Sequence, residues 1–136
     1  MRAVRSRHTT PERVLRKALH RNGLRFRLHK ATLPGTPDIV FSGLKVALFV
    51  DGDFWHGHQW RLRGLPSLES QFATNADYWT SKIRRNMDRD ERVDAELKAL
   101  GWRPIRVRES DIRSSIDTVI HDIAELLEEV RSKTPR

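Results

Sequence analysis

Cysteine is absent from this 136-residue chain, so neither a disulfide nor a thiolate metal site can form. No apolar run approaches the ~18 residues of a membrane-spanning helix, and no signal-peptide pattern opens the sequence. Internal repeats and low-complexity linkers are also missing. Residues 1–136 are therefore read as a single domain, long enough to build one core without a staple. These absences point away from a secreted disulfide scaffold, a membrane protein or a repeat array, and toward a soluble cytoplasmic protein of a prokaryote. Acid is scarce at the start: residues 1–30 hold ten Arg or Lys against one carboxylate, Glu12.

What is present is positive charge, +8 overall, distributed unevenly. Residues 109–136 reverse the balance, with seven acids against four bases. Arginine supplies 20 of the 26 cations, and its planar fork suits bidentate contacts with phosphate. A solvated basic surface would explain this, and so would a face for nucleic acid. The second reading is favoured because the basic end adjoins, in sequence, a cluster of acids and histidines.

Residues 1–8 are basic and lack periodicity, which marks an N-terminal arm. A helix is expected from Thr9 or Thr10, with Pro11 in its first turn, to about Asn22-Gly23. A short strand over Phe26–His29 follows. The Leu33-Pro34-Gly35-Thr36-Pro37 turn then leads into a strand at Asp38–Phe41, and Ser42-Gly43 makes a tight reversal into Lys45–Val50. The second strand of this hairpin is apolar throughout and so belongs inside the sheet. Residues 51–75 form a long connection of Gly, Ser, His and aromatics, an active-site or contact loop by its length. A long helix spans roughly Asn75–Leu100, a strand Trp102–Arg108, and an amphipathic helix about Ser115–Ser132. The order α-β-β-β-α-β-α describes an α/β domain with a mixed sheet packed between helices.

The chemistry concentrates in Pro37-Asp38-Ile39-Val40 and Asp51-Gly52-Asp53-Phe54-Trp55-His56-Gly57-His58. Asp38 opens one strand and Asp51 ends its neighbour, so their carboxylates can meet at one side of the sheet. Metal-assisted phosphodiester hydrolysis needs such acids around a divalent ion and a base to activate water. A helix with Glu12, then Asp38, then Asp51 is the order of PD-(D/E)-x-K nucleases, except that Asp53 stands where their lysine falls. His56, neutral near pH 7, can supply the missing base. Glu12 has a rival explanation, because Thr9-Thr10-Pro11-Glu12 has capping-box spacing. Asp51 is a candidate second metal carboxylate, or one acting behind the first ligands.

On the long helix, Trp79, Ile83, Asn86, Asp90, Val93, Leu97 and Leu100 share one stripe. Five are apolar and should face the core. Asn86 and Asp90 interrupt them and need partners, since an unpaired buried polar group costs about 1–3 kcal/mol. Asp90 is expected to pair with His56 or with water around the metal, or else with arginine. Trp55 and Trp79 fit either the core or base stacking beside a basic cleft.

Several of these motifs together resemble the very-short-patch (Vsr-type) DNA mismatch endonuclease family, of the restriction-endonuclease-like superfamily. They are Leu33-Pro34-Gly35-x-Pro37-Asp38, Phe49-x-x-Gly52-x-Phe54-Trp55-His56-x-His58, Tyr78-Trp79-x-x-Lys82-Ile83, Asn86-x-x-Arg89-Asp90 and Leu100-Gly101-Trp102-Arg103. Met1-Arg2-Ala3-Val4 and Thr10-Pro11-Glu12 fit its opening region. The resemblance implies Mg²⁺-dependent nicking of double-stranded DNA, 5′ to the thymine of a T:G mismatch, with Mn²⁺ as a substitute ion. Asp38 falls on the family's metal-binding aspartate, and the Val50 main-chain carbonyl would be a further ligand. His56 matches its catalytic histidine, and Glu12 its N-terminal acid. Phe54, Trp55 and Trp79 match aromatics that wedge into the duplex, and Met1 a residue entering from the other groove. Arg2, Arg61, Arg63 and Asn86 are further candidate DNA contacts.

The resemblance breaks at the family's structural zinc, held there by three cysteines and a histidine. The corresponding positions here are Asp53, His58, Trp60 and Ser110, and a tetrahedral site needs four good ligands. Zinc is therefore expected to be absent, with packing around Trp60 and an Asp53–Arg contact in its place. The loop 61–75 also differs from the family's. Two alternatives follow: a defence- or modification-associated nickase with other specificity, and a catalytically inactive DNA-binding subunit. Either would bring repair- or defence-system protein partners.

Overall fold

The computed structural model describes residues 10–53 and 56–133. The N-terminal arm, with Met1 and Arg2, and the wedge candidates Phe54 and Trp55 lie outside the described residues. Helix α1 (Thr10–Arg21) carries Glu12 in its first turn and His20 and Arg21 in its last, in line with the helix dipole. It stops at Gly23, φ 75°, whose N–H returns to the His20 carbonyl. Strand β1 (Arg27–Leu28) is shorter than the expected Phe26–His29 because His29 turns into the left-handed region at φ 44°.

Strands β2 (Ile39–Phe41) and β3 (Val46–Asp51) pair antiparallel. Their reversal is wider than the expected two residues: a 3-10 turn at Ser42–Leu44 closes through Lys45 at φ 54°. The long connection after β3 is also not structureless. It contains the short helix α2 (Gln59–Leu62) and a 3-10 turn at Glu69–Gln71. Helix α3 (Ala76–Ala99) then crosses over to β4 (Arg103–Arg108), which lies parallel to β3. Two helices close the chain, the unexpected α4 (Glu109–Ser114) and α5 (Ile116–Lys133).

The sheet order is β1-β2-β3-β4, which puts β3 inside and β4 at an edge. An edge strand accommodates Pro104, which has no N–H to give. Alternation along the strands divides the core in two. Ile39, Phe41, Val46 and Leu48 pack with Leu15, Leu19, Ile120 and Ile123 of α1 and α5. Val40, Ala47 and Phe49 point to the other face, against Val93 and Leu97 of α3. A strand buried on both faces reads as an unbroken apolar run, and β3 does. The result is the expected mixed sheet flanked by helices. The α3 stripe holds for Ile83, Val93 and Leu97, but Leu100 lies past the helix end and is 56% exposed.

The turn before β2 is pressed onto this second core. Gly35 has φ 73°, and a Cβ there would sit 2.7 Å from Val93 Cγ1 and 3.2 Å from the Phe49 ring. Neither neighbour is the free end of a flexible chain. Gly35→Ala is expected to destabilise by about 2–4 kcal/mol, combining left-handed strain with overpacking. Urea denaturation checks it; a loss under 1 kcal/mol would mean that the turn yields.

Candidate active site

Two groups of ligand-type side chains form around the start of β2 and the end of β3. In the first, Glu12, His29 and Asp38 each bring one ligand atom to within 4.8 Å of the others. Asp51, His56 and Asp90 do the same in the second.

The first group draws on three elements. The Glu12 side chain is 1% exposed, with His29 Nε2 at 2.9 Å and Arg16 at 3.6 Å from its Oε2. Its capping partner Thr9 lies outside the described residues, so the contacts on view are those of a buried carboxylate facing a histidine. Asp38 is half-buried, and its Oδ2 accepts the Val50 N–H at 2.8 Å. Burial pushes the Asp38 carboxyl up to about 7 despite that hydrogen bond. The charges of Glu12 and Asp51 push the same way, and Arg106 opposes them.

In the second group, His56 Nδ1 lies 2.5 Å from Asp90 Oδ2, and His56 Nε2 lies 3.8 Å from Asp51 Oδ1. With the Nδ1 proton held between ring and carboxylate, Nε2 is left as the accepting nitrogen. Burial works to lower the His56 pKa, but the hydrogen bond to Asp90 and the charge of Asp51 outweigh it and raise the group. Asp51 is itself raised by burial, against the pull of His56 and Arg106. Asp90 thus meets both partners that its place on the stripe suggested, histidine and arginine, with Arg106 Nη1 at 3.4 Å.

The loop that carries His56 is pinned at both ends. His56 N–H donates to the Gly52 carbonyl, and the N–H groups of His58 and Gln59 donate to the Asp53 carbonyl. The Asp53 carboxylate is buried and accepts the Ser110 hydroxyl at 3.0 Å, which replaces the arginine contact expected for it. Asp53 and Ser110 lie 57 positions apart in the sequence. They are joined here by a hydrogen bond between β3's extension and α4. Gly57, φ 74°, lets the loop close on α3, where a Cβ would meet Met87 Sδ at 2.6 Å.

Among the remaining candidates, Arg61 and Arg63 are exposed; Arg61 covers the Trp60 ring at 4.9 Å. Trp79 stacks on Phe72 with centroids 6.4 Å apart, and the exposed Tyr78 meets it edge-on. Asn86 is half-buried one turn before Asp90 on α3. Sequence reasoning missed two residues. His29 sits in a two-residue strand's exit among basic residues, with no pattern to single it out. Arg106 lies in Arg103-Pro104-Ile105-Arg106-Val107-Arg108, where alternation reads as a solvent-facing row of arginines. Its register opposite Phe49 was the available signal, because it turns Arg106 toward α3.

Comparison with known proteins agrees with this geometry. The sequence model of the DNA mismatch endonuclease Vsr family matches residues 1–62. The type II nicking enzyme V.XorIIP of Xanthomonas oryzae pv. oryzae is 50% identical over 103 residues, covering 76% of this chain and 71% of that protein. V.NmeDIP, a type II nicking enzyme of Neisseria meningitidis serogroup C, is 39% identical over 112 residues, 82% of this chain and 72% of its own. The DNA mismatch endonuclease Vsr of Escherichia coli K12 is 37% identical over 129 residues, covering 95% and 79%. With an acid-lined strand pair, a histidine–aspartate pair beside it and relatives aligned across most of its length, the chain belongs to the Vsr family of DNA endonucleases.

Proposed function

We propose that this protein nicks one strand of duplex DNA with the help of a divalent ion, and that its substrate is a T:G mismatch cut 5′ to the thymine. The observation that carries the chemistry is the His56–Asp90 pair, whose free Nε2 faces the acids at the end of β3. The mismatch comes from the relative named a mismatch endonuclease, and the single-strand cut from those named nicking enzymes. A protein acting on chromosomal duplex would work in the cytoplasm. No helix among the described residues is long and apolar enough to cross a membrane.

Asp38, Glu12 and His29, with the Val50 carbonyl, would hold the ion. The raised Asp38 carboxyl, facing Glu12 and Asp51, marks an excess of negative charge that suits a cation. The oxygen donors of Asp38, Glu12 and Val50 suit Mg²⁺ or Mn²⁺, with the His29 imidazole the less usual ligand for either. An ion held there would supply polarisation of the scissile phosphate and neutralisation of the charge that develops on it. His56 Nε2 takes the proton from the attacking water while Asp90 fixes the ring and stabilises the imidazolium. The basic arm and the exposed Arg61 and Arg63 hold the phosphate backbone, and Trp79 with Tyr78 offers flat faces to bases loosened by poor pairing. No zinc is required, since Asp53 and Ser110 hold each other.

The test is Mg²⁺-dependent nicking of labelled duplexes containing T:G, other mismatches or perfect pairs, with Asp38→Ala alongside. Cutting confined to the thymine strand of T:G is the expected result. Equal cutting of all duplexes would move the role to a defence or modification nickase. Binding without cutting would make it a DNA-binding subunit. Binding through about 6 phosphates should weaken with salt at a log–log slope near −5.

A further inference from the structure

Arg106 is the hub of the second group of side chains. Its Nη1 lies 3.1 Å from Asp51 Oδ1 and 3.4 Å from Asp90 Oδ1, and its Nη2 lies 2.8 Å from Asp94 Oδ1. Nε also donates to Asp94, and Nη2 reaches the Asp90 carbonyl. The guanidinium plane rests 4.4 Å from the Phe49 ring centroid. The parallel register accounts for this, since Phe49 and Arg106 are paired neighbours on the face covered by α3. Asp90 and Asp94 are one turn apart on that helix, so both carboxylates reach the same cation.

Three aspartates converge on one arginine, and two of them also face His56. Carboxylates brought this close repel one another unless a cation lies between them. We propose that Arg106 is a positioning residue of the proton-transfer half of the site: its guanidinium holds Asp51 and Asp90 against His56, in place of a second divalent ion. Lysine could supply the charge but not the fork, which addresses three carboxylates from one plane. The inference rests on the proposed role of His56, and its test separates the two.

Steady-state nicking would be measured for Arg106→Met, Arg106→Lys and His56→Ala, with melting temperatures for each and a Mn²⁺ titration of the wild type. Arg106→Met is expected to lower kcat at least 100-fold with KM for the duplex changed less than threefold. Arg106→Lys should recover about tenfold. If Arg106→Met fails to fold, Asp94→Asn, which frees one side of the clamp, should lower kcat five- to tenfold at unchanged KM. The wild type should bind one Mn²⁺, lost in Asp38→Ala. Full activity in the Arg106 and Asp94 variants, with His56→Ala inactive, overturns the role of Arg106 alone. An active His56→Ala overturns the reading beneath it. A second Mn²⁺ that disappears in Asp51→Asn shows that a metal, and not Arg106, holds this group.

Discussion

Asp38→Asn is expected to abolish nicking and yet make the metal-free protein more stable at pH 8. The two effects share one cause. The folded protein holds the Asp38 carboxyl at about 7, well above the value of 3.8 for an unburied aspartate. Between those values the native state binds more protons than the unfolded chain, so stability falls as pH rises through that window. Above pH 7 the whole cost of a buried, repelled carboxylate is present. Each pKa unit corresponds to 1.36 kcal/mol, and relaxation and water access reduce the total, so a gain of about 1–3 kcal/mol is expected from asparagine. The gain should shrink toward nothing as the pH falls below the unfolded value of 3.8, where the wild-type carboxyl becomes protonated in both states. Asparagine can still accept the Val50 N–H through its side-chain oxygen, so the loss of nicking, at least 1,000-fold, would follow from the missing charge. Mg²⁺ or Mn²⁺ should raise the melting temperature of the wild type and leave the variant unmoved. A variant less stable than wild type at pH 8 would make Asp38 a structural carboxylate held by Val50, and the metal assignment would fall.

The second large effect concerns proton transfer. His56→Ala should reduce kcat by about 100- to 10,000-fold, the usual worth of a positioned base, with duplex binding retained. Asp90→Asn should cost nearly as much, because it removes the charge that sets the tautomer of the ring. The double variant should be little worse than either single one, as for residues that act as a unit. The pH dependence carries a sign. His56 must be neutral and Asp38 ionised, and both groups are raised, so nicking should increase with pH. The acid limb should have its midpoint at or above the ordinary histidine value of 6.5. A limb near pH 4 would exclude both assignments. If Asp90→Asn costs thermal stability in proportion to activity, the pair serves the fold and another group is the base.

Much of this site can be read from the chain because strands and helices repeat on fixed periods. Asp38 and Asp51 converge because an antiparallel hairpin brings the start of one strand to the end of the next. Asp90 could be paired with a loop residue because it interrupts an apolar stripe at helical spacing, and an interruption needs a partner. Arg106 and His29 escaped for the converse reason. An arginine alternating with apolar residues in an edge strand has the same pattern whether it faces water or a ring of aspartates. Only the partner's register distinguishes them. His29 depends on a left-handed turn that no neighbouring glycine announces. Helix α4 buries only Ile112 and is too short for a period to show. The Asp53–Ser110 contact joins residues 57 positions apart, beyond the reach of any local pattern.

The parallel pairing of β3 with β4 also sets an order of events during synthesis. Asp38 and His56 leave the ribosome early, but Asp90 and Arg106 come with the crossover helix and the strand after it. Residues 55 apart must meet before Asp51 has its arginine, and parallel strands joined by a crossover are among the slower contacts to form. A chain interrupted before β4 would carry the acids for a metal without the clamp that aims them. If Arg106 has the role proposed for it, the nascent nuclease would stay inert beside nucleic acid until nearly all of it has been made.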